Sequence, residues 1–193
     1  MQKLGFERRG GVEGFLRALE EFHGYRAPGV VIGGFMVDLA VRQMRGHEML
    51  DAVVETSKCL IDAVQLLTPC TAGNGWVRVI DSGRYALTLY DKVTFEGVRV
   101  WVDPKKLAGF PEIERWFFRR ASKKDLPLEV LNPKIVAAGE GILSWRRVRV
   151  LTGAVGKRHA PEPRLCSDCG ESFRAEGPER CPGCRGSYCE VVE

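Results

Sequence analysis

The stretch WVRVIDSGRYALTLYDKVTFEGVRVWVD, residues 76–103, decides the fold class. It breaks into three short runs, 76–81, 85–92 and 97–103, rich in β-branched and aromatic residues and bounded by turn formers, so three strands are expected. Ser82-Gly83, between the first two, is a hairpin-type signal. In the third run Val98, Val100 and Val102 share one face, with Arg99 and Trp101 on the other. One buried face and one partly wet face is the antiparallel pattern.

Upstream, residues 12–22 place Phe15, Leu19 and Phe22 on one helical stripe, and His23-Gly24 supplies a stop. Residues 30–44 are apolar almost all round, which predicts a buried helix, and Gly33-Gly34 would let another backbone approach it closely. A short strand over 50–55 and a helix over 58–67, closed by Pro69, come next. Downstream, helices are expected over 111–120 and 134–145, then a strand over 147–151. This order predicts an α+β domain over residues 1–151, a mixed or antiparallel sheet with helices packed on it. Residues 152–164 turn to Gly, Pro and basic charge and read as a linker, and 165–193 form a small cysteine-bearing domain.

The composition, 45% hydrophobic and 28% charged, is that of a folded chain rather than a disordered one. The first residues lack the apolar run of an export signal. The longest apolar stretch, 27–37, is about half of what a bilayer span needs, so no membrane association and a cytoplasmic location are expected. The net charge of +4 is uneven. Residues 146–165 carry Arg146, Arg147, Arg149, Lys157, Arg158 and Arg164 against Glu162, a net +5, whereas 166–193 carry −3.

Five of the seven cysteines fall in the last 28 residues. Cys166-x2-Cys169 and Cys181-x2-Cys184 form two knuckles, and the intervening eleven residues allow a hairpin that turns them face to face. So short a segment cannot bury enough apolar surface to fold alone. Metal–thiolate binding, worth ~10–16 kcal/mol in comparable peptides, supplies the difference. With all four positions taken the site is closed, hence structural. Zinc is expected, with a single iron as the alternative that would make an electron-transfer module. Cys189 is a fifth candidate ligand.

Three further blocks are Phe22-His23-Gly24-Tyr25-Arg26-Ala27-Pro28-Gly29, then Cys59-x2-Asp62-Ala63-Val64-Gln65, then Cys70-Thr71-Ala72-Gly73-Asn74-Gly75. In this order they resemble the FmdE family, named for formylmethanofuran dehydrogenase, over roughly residues 10–150. The family's motifs read His-Gly-His-x-Cys-Pro-Gly, Cys-x-x-Asp-Ala-hydrophobe-Gln and Cys-Thr-x-Gly-Asn. The resemblance implies an α+β core, frequently dimeric, which some members extend with a C-terminal zinc finger.

Tyr25 and Ala27 stand where the family has its second His and its Cys, leaving His23, Cys59 and Cys70 as core ligand candidates. Cys59 and Cys70 flank one helix, which separates their Cα atoms by roughly 15 Å, whereas thiolates on one tetrahedral ion lie about 4 Å apart. A core metal would therefore start from His23 with one of them, the other joining only from a partner chain. The alternative roles are a helix-capping His23, buried thiols at Cys59 and Cys70, a tight turn rather than an anion cradle at 73–75, and solvent-exposed His47 and His159.

The redox chemistry in the family name needs a pterin-bound metal and relay clusters, for which the sequence offers no motif. The expectation is therefore a metal-binding accessory or regulatory protein, a homodimer whose finger docks a protein partner or its own twin. Two alternatives stand beside it. One is nucleic-acid binding through the ribbon and the basic segment, against which the finger's acidity counts. The other is a thiol- or metal-dependent enzyme using His23, Cys59 and Cys70.

Overall fold

Helix α1, Val12–His23, buries Phe15, Leu16 and Leu19 and ends where Gly24 turns left-handed at φ 89°. Its apolar stripe stops a turn earlier than the periodicity predicts, since Phe22 is 55% exposed. Pro28, lacking an N–H to satisfy, opens helix α2, Pro28–Gln43. Val30, Val31, Ile32, Met36 and Val37 of α2 are buried, as a helix apolar all round must be. Its one acid, Asp38, accepts from the Phe6 amide at 2.8 Å and from Arg42 Nε at 3.1 Å, fixing the N-terminal turn Gly5–Arg9.

The computed structural model describes residues 3–186 apart from 48, 123, 156–160, 175, 176 and 178. Strand β1, Leu50–Val54, leads through helix α3, Leu60–Leu67, to β2, Val77–Val79. β3, Ala86–Asp91, and β4, Glu96–Val102, follow, and β5, Leu143–Arg149, completes a sheet of order β2-β1-β3-β4-β5. β1 and β2 run parallel, and the other neighbours are antiparallel. Ala52, Leu89 and Val98 line up in one row and Val54, Leu87 and Val100 in the next, forming the apolar face of the sheet. The sheet is mixed and the fold is α+β.

Two local expectations fail. Ser82-Gly83 does not make a hairpin: β1 lies between β2 and β3. The cause is the apolar character of β1, in which Leu50, Ala52, Val53 and Val54 are all buried, so that it takes an inner position with a neighbour on each side. Nor does a helix start at Lys134. After helices α4, Pro104–Leu107, and α5, Pro111–Phe117, helix α6 spans Leu128–Ala138 with Pro133 inside it. Pro127, not Pro133, sets its start, and Gly139 at φ 51° stops it before β5.

Gly33 and Gly34 admit side chains rather than a backbone. A Cβ on Gly33 would lie 2.9 Å from the Ala63 Cβ of α3, and one on Gly34 2.4 Å from the Phe15 ring of α1.

The chain divides into two compact units, Met1–Val155 and Gly156–Glu193. The first continues past residue 151 through a short helix α7, Thr152–Val155, and Val155 is buried with Val53 and Tyr90. In the second, β6, Arg164–Leu165, pairs antiparallel with β7, Ser172–Phe173, and a single helical turn α8 covers Pro182–Arg185. Among the described residues no helix is long and apolar enough to cross a membrane.

Candidate metal centre

The ligand atoms of Cys166, Cys169, Cys181 and Cys184 all lie within 4.8 Å of one another. Local structure explains the convergence. The Cys166 amide donates to Glu171 C=O at 2.9 Å and the Gly170 amide to Cys166 C=O at 3.0 Å, folding the first knuckle back on itself. Gly170, at φ 73°, supplies the left-handed residue that this turn requires. In the second knuckle Pro182 starts α8, so the Cys184 amide reaches Cys181 Sγ at 3.3 Å. The knuckles meet through the Cys181 amide, which donates to Cys166 Sγ at 3.2 Å.

Cys166 Sγ and Cys184 Sγ are 3.9 Å apart, and both cysteines are free. A Zn–S bond of about 2.3 Å places tetrahedral sulfurs about 3.8 Å apart, so the donor set fits a tetrahedral thiophilic cation. The electrostatics agree. Amide donation, from Cys169 first and then Cys181, pulls the Cys166 thiol down to about 6, while its crowded sulfur neighbours, Cys181 foremost, push Cys184 up to about 12. Several thiolates cannot share so small a space without a cation to neutralise them. Among the described residues this is the single convergent group of three or more His, Cys, Asp or Glu. Cys189 lies outside the described residues.

His23, Cys59 and Cys70 do not converge on one point within a chain. His23, the last residue of α1, turns its Nδ1 to Asp62 Oδ2 at 2.6 Å, with both side chains 21% exposed. Cys59 is the N-cap of α3, at φ 53° and ψ −56°. The Leu60 amide donates to Lys58 C=O at 2.5 Å across it, a γ-turn of the rare, strained hand. The Cys59 side chain packs so near Gly29 that a Cβ there would lie 3.0 Å from its Cβ, 3.1 Å from its Sγ and 3.0 Å from Tyr85 Oη. Tyr85 donates its hydroxyl to Gly29 C=O at 2.5 Å. Burial, then the nearby Asp62 charge, raises the Cys59 thiol pKa, and burial holds the Tyr85 hydroxyl well above its ordinary value.

Cys70 is fully buried and donates to Leu50 C=O at 3.2 Å; burial pushes its pKa up to about 11. The loop that follows is closed on itself. Asn74 Oδ1 accepts from the Thr71 and Trp76 amides, Thr71 Oγ1 from the Asn74 amide, and Gln65 Oε1 from the Ala72 amide. These amides are consumed internally, which makes residues 71–75 a structural turn and not an anion cradle. His47, expected in solvent, hydrogen-bonds Asp91 at 3.1 Å, and His159 lies outside the described residues.

Sequence reasoning missed Asp62 and Tyr85 as companions of His23 and Cys59. An acid in the first turn of α3, three residues after Cys59, was the available signal for the first. The contact of Tyr85 with Gly29 spans 56 residues and had none.

The family model described as "FmdE, Molybdenum formylmethanofuran dehydrogenase operon" matches residues 22–152. A probable S-adenosyl-L-methionine-binding protein of Archaeoglobus fulgidus is 29% identical over 211 residues, covering 92% of this chain and 54% of that protein. The chain thus spans about half the length of this curated relative. The crystal structure of an FmdE-like protein of the tungsten formylmethanofuran dehydrogenase type, from Syntrophus aciditrophicus, is similar at a TM-score of 0.83 and 44% identity, covering 93% of this chain and 95% of that one.

Proposed function

This chain belongs to the FmdE family, and on that premise we propose that it is a metal-binding accessory or regulatory protein, not itself a dehydrogenase. The observation that carries the reading is the convergence of four sulfurs within 4.8 Å. Four thiolates fill a tetrahedral ion and leave no position for a substrate, so the metal's task is to fold the tail. Zinc suits that task, and an iron would reveal itself by visible absorption. A metal-folded module of net −3 offers a surface for protein contacts and repels phosphate. We assign it a docking role, toward a second copy of the chain or another protein. The name of the Archaeoglobus relative is not carried over, because nearly half of that protein lies beyond the match.

Sedimentation velocity of the full chain tests the docking role. The wild type should self-associate, and Cys166→Ser should weaken that association at least about ten-fold, or 1.4 kcal/mol. Association that is unchanged by the substitution, with no cross-linked partner lost, contradicts it.

One observation favours a second reading, thiol chemistry at the core. Cys59 is held in a strained turn whose helix also presents Asp62 to His23, and such strain collects at functional sites. The raised thiol pKa argues the other way. Saturable labelling of Cys59 by iodoacetamide, faster than a free thiol at pH 7, would establish it; sluggish labelling removes it.

A further inference from the structure

We infer that the cleft between α1 and α6 binds a small organic cation with an apolar body. It encloses about 640 Å³, inside the range of roughly 300–1,000 Å³ that accommodates small ligands. Leu16 of α1 with Leu128 and Val136 of α6 supply apolar walls. Tyr25, 49% exposed, presents an aromatic ring at the same cleft.

The polar lining is one-sided. Glu13 and Glu20 come from α1 and Glu129 from α6, against the single cation Arg26. Arg26 Nε is committed to Glu20 at 3.1 Å, and among the described residues neither Glu13 nor Glu129 has an ion pair. Asn132 spends its amide N–H on Arg26 C=O at 2.7 Å, leaving its Oδ1 buried without a hydrogen-bond donor. Pro133, also in the lining, has no N–H to give the Glu129 carbonyl one turn back. What the cleft lacks is therefore donors and positive charge.

An ammonium or guanidinium group supplies both. The buried acceptor selects an N–H donor, the two unpaired carboxylates select a cation, and the Tyr25 face adds cation–π attraction. The apolar walls ask for an alkyl or aryl body behind the charged head. A carboxylate or phosphate ligand would meet Glu13 and Glu129 and is excluded. This site is independent of the four cysteines and of the function proposed above.

Isothermal titration of the full chain with 2-phenylethylammonium and with 2-phenylethylguanidinium, each against the neutral 2-phenylethanol, tests the inference. At least one cation should bind about ten-fold more tightly than the alcohol. Glu129→Gln and Asn132→Leu should each weaken it several-fold, and Arg26→Gln, which removes the competing positive charge, should tighten it. Unchanged circular dichroism keeps the variants interpretable. The inference is overturned if neither cation binds saturably, if the alcohol binds as well as they do, or if Glu129→Gln and Arg26→Gln leave the affinity where it was.

Discussion

His23 closes helix α1 and Asp62 lies in the first turn of α3, and the Nδ1 of one meets the Oδ2 of the other at 2.6 Å. The bond clips two helices whose partners are 39 residues apart and leaves Nε2 as the ring atom open to other groups. Asp62→Ala should cost about 1 kcal/mol, and in a double-mutant cycle with His23→Ala the two losses should couple by a comparable amount. Urea unfolding measures both. Strict additivity would mean that the contact contributes nothing.

Glu55 ties the wet face of the sheet together. It is 7% exposed and holds Arg99 through bonds of 2.6 and 3.0 Å and Arg84 at 2.7 Å. Burial alone would raise its pKa, but the Arg99 hydrogen bond and charge, then Arg84, outweigh burial and lower it. A depressed folded-state pKa means stability that is present above the unfolded value, about 4.3, and lost as pH falls through the folded one. Arg99→Gln should therefore cost about 2 kcal/mol at pH 7, and the deficit should narrow on acidification below pH 4, where Glu55 protonates in both proteins. Thermal unfolding from pH 3 to 7 reads this; a deficit independent of pH contradicts it.

The thiols should separate by reactivity. Cys70 is fully buried with a pKa near 11, while Cys59 is half-buried and only raised. Because the thiolate is the reactive form, iodoacetamide at pH 8 should leave Cys70 untouched in the folded protein and modify Cys59 slowly. Peptide mass spectrometry ranks them, and Cys70 reacting first would be the wrong order.

Gly34 leaves room for the Phe15 ring, which a Cβ would approach to 2.4 Å. Gly34→Ala should destabilise the core by about 1–3 kcal/mol through overpacking, despite alanine's better helix propensity. A gain in thermal midpoint would show that Phe15 yields freely.

Signals carried within a few residues were legible in the sequence. The α2 helix declared its burial by being apolar on every side, Val98, Val100 and Val102 declared their face, and the two cysteine knuckles declared their convergence. What stayed hidden depended on partners distant in the chain. Ser82-Gly83 looked like a hairpin because nothing local reveals that β1 claims the place between β2 and β3. Pro133 looked like a helix start because proline favours that position, yet tertiary packing carries α6 through it. Asp62 and Tyr85 joined the core candidates only when the chain folded.

Metal analysis of the purified full chain tests the central claim most directly. Elemental quantification should find one zinc per chain in the wild type. Cys166→Ser should lose that ion together with the hydrogen-exchange protection of the Cys166 and Cys181 amides. A Cys166→Ser chain that keeps its full metal content and protection, or a wild type in which the four sulfurs carry no ion, would contradict the account.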